Sequence, residues 1–283
     1  MLSTSETIKK YGLNAKKSLG QNFILDSNLT DKIARQALGN DQDLQNSHVL
    51  EIGGGPGGLT KSILKLNPKT LTVIEQDDRC IAALEEIKNF YPNQLKIIKG
   101  DALKLDIGIF CADKKIKIIA NLPYNIATEL LFKWMKNCPD IELMILMFQK
   151  EVVDRIVAKT GSKAFGRLAV MVNFFCDTKK LFDISPKSFT PSPKVTSSLI
   201  IIKPKSKPIF DVNFKELEKV CAAAFSQRRK MLKSSLKSFC PDAENWLKKC
   251  DIDPNLRAEQ LTLEQFGKLA ITKINQTLFN LQH

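Results

Sequence analysis

The chain has 283 residues, 43% of them hydrophobic, which is enough for one large core and a smaller second one. It carries a formal net charge of +13, two histidines, and seven scattered cysteines without a Cys-x-x-Cys pair. This composition argues against Ser-His-Asp and Cys-His catalysis, zinc sites and disulfide frameworks. The best apolar run, 141–148, is far shorter than a membrane span, and the first residues lack the apolar core of a secretory signal. We therefore expect a cytoplasmic protein with reduced thiols, no bound metal and no membrane contact.

The positive charge is unevenly distributed along the chain. Residues 1–150 hold 20 Lys and Arg against 17 Asp and Glu, a net of +3. Residues 151–283 hold 23 against 13, a net of +10. A generally basic proteome would also give a basic chain, but the asymmetry favours a polyanionic partner for the second half.

Short apolar segments alternate with helical patterns through the first half of the chain. The predicted strands are Val49–Gly53, Thr70–Glu75, Leu95–Lys99, Lys115–Ala120 and Glu142–Phe148. The helices predicted between them are Leu59–Lys65, Asp77–Asn89 and Thr128–Asn137. This alternation predicts βαβ units and a parallel sheet covered on both faces. Because such crossovers are right-handed, we expect a doubly wound, mostly parallel α/β sheet.

The second half begins with a predicted buried helix, Gly166–Cys176, and two strands, Lys180–Ile184 and Val195–Lys203, that could form an antiparallel hairpin at the sheet edge. The polar, Pro-bounded segment 203–208 then predicts a boundary between domains of residues 1–204 and 205–283. The second domain is expected to be small and all-α. Its predicted helices are Phe214–Ser226, Arg229–Ser238, Ala243–Lys249 and Leu263–Leu278.

A strand, a glycine-rich turn and a helix follow one another in "VLEIGGGPGGLTKSIL", residues 49–64. Five glycines in six residues are more than a tight turn needs, and glycine lets a ligand approach bare backbone. The following helix N-terminus adds free N–H groups. The turn matches the dinucleotide fingerprint G-x-G-x-x-G, beginning at Gly53, and fails as a P-loop at Thr60. It predicts an adenosine-containing ligand, either a nicotinamide dinucleotide or S-adenosylmethionine.

Two acidic residues end the next predicted strands. Glu75 lies where a carboxylate would accept hydrogen bonds from both ribose hydroxyls. Asp101, in "GDAL", could accept a bond from the exocyclic amine of adenine, although an aspartate there could equally be a helix N-cap.

The fourth strand ends in the tetrapeptide Asn121-Leu122-Pro123-Tyr124, over the crevice where open α/β sheets bind ligands. Methylating an aromatic amine requires acceptors for its N–H groups, so that the nitrogen lone pair turns towards the electrophile. The Asn121 side-chain oxygen and the Leu122 carbonyl are two adjacent acceptors, and Tyr124 offers a flat surface for an extruded base. A Pro-terminated strand with an Asn turn is the simpler interpretation. Because nicotinamide chemistry has no use for this tetrapeptide, we favour S-adenosylmethionine as the cofactor.

Several motifs together resemble the family of ribosomal RNA adenine N6,N6-dimethyltransferases that modify small-subunit (16S) RNA. The resemblance runs from about Lys16 to Leu278. In the first half the motifs are "KSLGQNFILD" (17–26), "LEIGGGPGGLT" (50–60), "VIEQD" (73–77), "GDAL" (100–103) and "NLPYNI" (121–126). Downstream they are "FQKEVVDRI" (148–156), "FGRLAVMV" (165–172), "FTPSPKVTSSLI" (189–200), "FSQRRKML" (225–232) and "RAEQLTLEQF" (257–266). Gly54 departs from the family pattern, which often has proline there, and we expect a looser turn.

The resemblance implies a Rossmann-like methyltransferase sheet and dimethylation of two adjacent adenines. It implies that the cofactor contacts Asn22, Ile24, Gly53, Glu75, Asp101 and Asn121. It also implies that Phe189 stacks on the base opposite Tyr124, although Phe189 could instead be a core residue. The implied partner is small-subunit RNA or its pre-30S particle, bound by a monomer.

A basic stretch, "FSQRRKMLKSSLK" (225–237), carries five cations and no acid. These cations are Arg228, Arg229, Lys230, Lys233 and Lys237. On a helix, four of them would form one stripe suited to phosphates, although a charge run is often only a solvated face. Such contacts carry little sequence information, so the RNA's identity rests on the resemblance.

Three alternatives remain open at this point. One is a large-subunit rRNA adenine methyltransferase of the type that confers macrolide resistance, but Leu122 and "RAEQLTLEQF" favour the small-subunit group. Another is a ribosome-assembly factor whose binding matters more than its chemistry. The third is an NAD oxidoreductase.

Overall fold

A computed structural model describes residues 1–16, 19–110, 114–137, 140–207 and 209–281. The chain divides into two compact units. The first comprises Met1–Val153 and Lys179–Pro204, and the second comprises Asp154–Thr178 and the chain from Lys205 onward. The predicted break after Pro204 coincides with one crossing between the units, whereas the segment Asp154–Thr178 lies in the second unit and not the first.

The strands alternate with helices in the predicted manner. They are β1 (Phe23–Ile24), β2 (His48–Ile52), β3 (Thr70–Glu75), β4 (Leu95–Lys99), β5 (Ile116–Asn121), β6 (Ile141–Gln149), β7 (Cys176–Ile184), β8 (Phe189–Thr190) and β9 (Ser197–Pro204). A seven-stranded sheet has the order β4-β3-β2-β5-β6-β9-β7, and β1 pairs with β8 in a separate small sheet. The pairs from β4 through β6 are parallel, and β9 runs antiparallel to β6. The expected doubly wound, mostly parallel fold with an antiparallel edge is confirmed.

Helices cover the sheet and build the second unit. In the first part of the chain they are α1 (Thr4–Lys10), α2 (Ser27–Arg35), α3 (Gly58–Leu64), α4 (Asp78–Lys88), α5 (Ala127–Asn137) and α6 (Lys150–Ile156). The remaining helices are α7 (Arg167–Phe175), α8 (Phe214–Ala224), α9 (Leu232–Ser235), α10 (Ala243–Lys249) and α11 (Leu263–Leu281). Within the described residues, none of them is long and apolar enough to cross a bilayer.

The strand register brings four chain turns to one edge of the sheet. Ile52 pairs with Ile74, Glu75 with Lys99, and Leu50 with Ile118. The residues that follow the carboxyl ends of β2, β3, β4 and β5 therefore lie side by side, as the doubly wound topology requires.

One predicted helix is wrong. The segment Arg229–Ser238 contains only the single turn of α9, and residues 225–230 form turns. The backbone N–H groups of Leu232 and Lys233 donate to the carbonyls of Leu256 and Pro254, at 2.7 and 3.1 Å. Since these amides bond to another loop, no continuous helix can extend from residue 229.

Candidate active site

A cleft open to solvent, with about 960 Å³ of empty space, lies at the carboxyl edge of the sheet in the first unit. It is lined by residues that follow four parallel strands and by the segment 19–24. Eight predicted site residues line it: Asn22, Ile24, Gly53, Glu75, Asp101, Asn121, Leu122 and Tyr124. These positions, up to about 100 residues apart in sequence, are brought together by the fold.

The glycine turn between β2 and α3 is closely packed on one side and open on the other. Gly53 has φ +74° and nothing within 4 Å of the position of a Cβ, so its bare backbone faces open space. A Cβ on Gly57 (φ +80°) would lie 2.2 Å from Ile87. A Cβ on Gly54 would lie 2.6 Å from the Val73 Cγ1, and the expectation of a looser turn than one with proline stays a prediction. Glycine here lets the turn press against β3.

The Glu75 carboxylate is fixed by backbone donors at the end of β3. Its Oε2 accepts from the Gly55 N–H at 2.9 Å, and its Oε1 accepts from the N–H groups of Gln76 and Asp77 at 2.8 and 2.9 Å. A carboxylate offers about four acceptor positions, so it can still take hydrogen bonds from a ligand. Asp101 also caps a turn, because its Oδ1 accepts from the Leu103 N–H at 2.9 Å, while the residue lines the cleft.

Glu51 is a site residue that the sequence reasoning missed. It is 1% exposed in β2, it lines the cleft, and its Oε2 has no hydrogen-bond partner among the described residues. Burial, and secondarily the negative charge of Glu75, raise the pKa of Glu51 to about 8. The signal was present in the sequence, since an acid inside the apolar run before the glycine turn needs a reason to be there.

The tetrapeptide after β5 presents two acceptors to the cleft. The Asn121 Nδ2 donates to the Asn22 carbonyl at 3.0 Å, which assigns the other end of the amide, Oδ1, as the free acceptor. In the described part of the chain, no group donates to this Oδ1 or to the Leu122 carbonyl. The Tyr124 hydroxyl lies 2.5 Å from the Ser197 Oγ, and burial raises the pKa of Tyr124.

Phe189 is not brought into the cleft. It is 4% exposed, it belongs to the hydrophobic core, and it pairs with Ile24 across the small β1–β8 sheet. Its strand partner Ile24 lines the cleft, and the Phe189 ring would have to leave the core to stack on a base.

The five predicted RNA-binding cations lie in the second unit, on the turns and the short helix of residues 225–238. Four of them are exposed and Lys233 is half-buried. The Arg228 guanidinium donates to the carbonyl of Lys163 at 2.8 Å, so it also ties two loops together. The cations form an exposed cluster, but the predicted helical stripe is not present.

The described residues contain no group of three or more His, Cys, Asp or Glu side chains that could hold a metal ion. The described cysteines, Cys80, Cys176, Cys221, Cys240 and Cys250, are buried and unpaired. Cys111 and Cys138 lie outside the described residues.

Two solved structures resemble this chain over most of its length. A dimethyladenosine transferase from Plasmodium falciparum has a TM-score of 0.75 and 28% identity, and the match covers 90% of this chain and 98% of that one. The 23S rRNA methyltransferase ErmE shares the fold, with a TM-score of 0.66 and 22% identity over 89% of this chain and 99% of its own.

Sequence comparisons agree with the structural ones. A ribosomal RNA small subunit methyltransferase A from Xanthobacter autotrophicus is 46% identical over 270 residues, which cover 94% of this chain and 92% of that protein. The protein of the same name from Chelativorans sp. is 48% identical over 269 residues, which cover 94% and 95%. The family model for ribosomal RNA adenine dimethylases matches residues 12–275. The chain therefore belongs to the ribosomal RNA adenine dimethylase family.

Proposed function

We propose that this protein transfers methyl groups from S-adenosylmethionine to N6 of two adjacent adenines near the 3′ end of small-subunit ribosomal RNA, each adenine twice. The observation that carries the proposal is a pair of acceptors, Asn121 Oδ1 and the Leu122 carbonyl, to which no described residue donates, in the same cleft as the glycine turn. Family membership and the names of the relatives support the same activity.

The residues present fit S-adenosylmethionine. The Glu51 Oε2, which has no hydrogen-bond partner among the described residues, suits the ammonium of the methionine part, and this cation would favour the ionised form of Glu51. Glu75 suits the ribose hydroxyls, Asp101 suits the adenine amine, and the open backbone of Gly53 allows close approach. When bound, the cofactor supplies an electrophilic methyl group on a sulfonium.

The protein's own residues orient the target amine. Asn121 Oδ1 and the Leu122 carbonyl accept its two N–H bonds, so the nitrogen lone pair faces out of the ring plane. Tyr124 stacks on the extruded base, and its hydroxyl contact with Ser197 fixes the ring. Catalysis then comes mainly from alignment, with electrostatic support from the two oxygens as charge develops on nitrogen.

The basic cluster of the second unit is the proposed contact with RNA phosphates, within a pre-30S particle in the cytoplasm. It would supply affinity and register, while the identity of the target adenine is set at the cleft. We propose that the protein acts as a monomer.

The test is transfer of labelled methyl groups to under-methylated small subunits, followed by identification of the modified nucleoside. We expect N6,N6-dimethyladenosine on small subunits and none on large subunits. Glu75→Ala should abolish transfer, whereas Glu85→Gln, an exposed carboxylate on α4, should not. Label on another base, or on large subunits only, would refute the proposal.

An assembly factor without essential chemistry makes a different prediction in cells. In that case Glu75→Ala would leave subunit assembly unchanged while removing the methyl groups. An NAD-dependent enzyme would be stabilised against heat by NAD and not by S-adenosylmethionine.

A further inference from the structure

The orientation of the Asn121 amide depends on a main-chain group almost one hundred residues away. Its Nδ2 donates to the Asn22 carbonyl at 3.0 Å. In the opposite orientation, Oδ1 would face that carbonyl, acceptor against acceptor, and Nδ2 would point into the cleft. A donor there cannot accept the N–H bonds of the target amine, so only one of the two orientations supports catalysis.

The peptide that carries this carbonyl is held on both sides along the chain. On one side, Gln21 Nε2 donates to Asp77 Oδ2 at 3.1 Å, and Gln21 Oε1 accepts from the Lys16 N–H at 2.9 Å. On the other side, Phe23 is buried in a small cluster with Leu13 and Cys80, beside the glycine turn. Ile24 follows as the strand partner of Phe189.

The Asp77 carboxylate is itself held in place by Arg79. Arg79 donates to both of its carboxylate oxygens, at 3.1 and 2.7 Å, and to the carbonyls of Gly12 and Asn14 at 2.9 and 3.2 Å. Hydrogen bonds to this guanidinium hold the pKa of Asp77 well below its usual range. The Asp77–Arg79 pair therefore fastens the segment that precedes Asn22 to the start of α4.

We infer that the Asn22 carbonyl is a positioning group, which sets the Asn121 amide in its accepting orientation, and that the Asp77–Arg79–Gln21 clamp holds this carbonyl in place. The inference rests on the proposed methyl transfer and deepens it. It makes the segment before β1 part of the catalytic geometry and not only a wall of the cofactor cleft.

The first test is the pH dependence of Asn121→Asp, measured as single-turnover methylation relative to the unchanged protein at saturating S-adenosylmethionine. The ionised carboxylate cannot donate to the Asn22 carbonyl, but the protonated form can, and it then presents its other oxygen to the base. The relative rate should fall as pH rises, by about tenfold per pH unit above the pKa of the new carboxyl. Glu51, Glu75, Asp101 and Tyr124 line the same cleft in both proteins, so the rate is expressed relative to the unchanged protein at each pH.

The second test combines that change with Gln21→Ala, which releases the tie to Asp77. Alone, Gln21→Ala should slow turnover about tenfold at saturating cofactor, since a freed carbonyl no longer excludes the wrong amide orientation. When Gln21→Ala is added to Asn121→Asp at high pH, it should change the methylation rate less than twofold. Lys10→Gln is the control. Lys10 is exposed on the same N-terminal segment, and its contacts, an ion pair with Glu86 of α4 and the Tyr11 ring, are made by residues that do not line the cleft, so the rate should be unchanged.

Either of two results would overturn the inference: a flat relative pH profile for Asn121→Asp, or a full tenfold loss from Gln21→Ala in both backgrounds. If the unchanged protein methylates no adenine, the proposed function fails instead, so the two failures are distinguishable.

Discussion

The Glu51 carboxyl is buried, and its Oε2 has no hydrogen-bond partner among the described residues. Its pKa rises from 4.5 to about 8 in the folded chain, so between these values the folded chain holds a proton that the unfolded chain releases. The stability from this group is complete below pH 4.5 and is lost as pH rises through about 8. Glu51→Gln removes that dependence.

Without cofactor, Glu51→Gln should become more stabilising relative to the unchanged protein by about 4 kcal/mol of unfolding free energy between pH 5 and pH 8.5. Thermal or urea unfolding at several pH values measures it. Glu85→Gln, at an exposed carboxylate, should show no such trend. An effect of Glu51→Gln that is independent of pH would mean that Glu51 is ionised throughout this range.

The Tyr124–Ser197 contact can be tested by a double-mutant cycle. Ser197 is fully buried at the start of β9, and its Oγ lies 2.5 Å from the Tyr124 hydroxyl. We expect Tyr124→Phe and Ser197→Ala each to lower the methylation rate several-fold, and their combination to be no worse than either alone. Tyr124→Ala removes the stacking surface and should cost about 10- to 100-fold. If the losses of the two single variants are additive, the Tyr124–Ser197 contact does not affect methylation by fixing the tyrosine ring.

At the scale of elements, apolar runs predicted the central strands within one or two residues. β3 and β4 have the predicted bounds. β3 is an interior strand, and such strands read as continuous aliphatic segments, whereas β4 is an edge strand in which only Leu95 is buried. The helix expected at 229–238 failed because amides at 232 and 233 bond to residues 254–256, which no local pattern reveals. The Asn22–Asn121 bond was missed for the same reason, since it joins residues 99 positions apart.

The cations of the basic segment are expected to differ in their effects on RNA binding and on stability. Arg229→Ala and Lys230→Ala should each weaken binding to small-subunit RNA and reduce the slope of log K against log salt by about 0.7–1. Arg228→Ala should in addition lower the melting temperature, because it loses the bond to the Lys163 carbonyl. Lys248→Ala, an exposed lysine paired with Glu244 on α10, serves as the control. Equal salt slopes for all four variants would argue against phosphate contacts at this segment.

At the scale of the whole molecule, the chain enters the second unit twice. The segment Asp154–Thr178 belongs there with the C-terminal helices, and its aromatic side chains pack among theirs. Phe165 lies edge-on to Phe225, and Phe175 stacks on Phe214. Composition can locate the Pro-bounded linker at 203–208. It cannot show that residues 154–178 belong to the second unit, because the residues they pack against come later in the sequence.

A fragment of residues 1–204 should therefore not behave as a stable domain. It would expose buried side chains such as Phe165 and Phe174, each worth about 1.5–3 kcal/mol of lost burial. We expect low solubility and strong binding of a hydrophobic dye. Replacing 154–178 by a flexible linker in the same fragment should reduce both defects. A soluble, cooperatively unfolding 1–204 fragment would contradict the division into units.

The Val73 side chain on β3 occupies the space next to Gly54, where a side chain on residue 54 would have to lie. Gly54→Ala should destabilise the protein by about 1–3 kcal/mol, because its Cβ would lie 2.6 Å from the Val73 Cγ1. In the Val73→Ala background the same change should be nearly neutral, as measured by thermal unfolding. An equal loss in both backgrounds would place the strain elsewhere.

Substitutions at positions 54 and 73 therefore depend on each other. With valine at position 73, a residue larger than glycine at position 54 is disfavoured until that valine is replaced by a smaller side chain. The order in which these two positions can be substituted is thereby constrained: the middle glycine of the triplet 53–55 can be replaced at low cost once residue 73 is smaller.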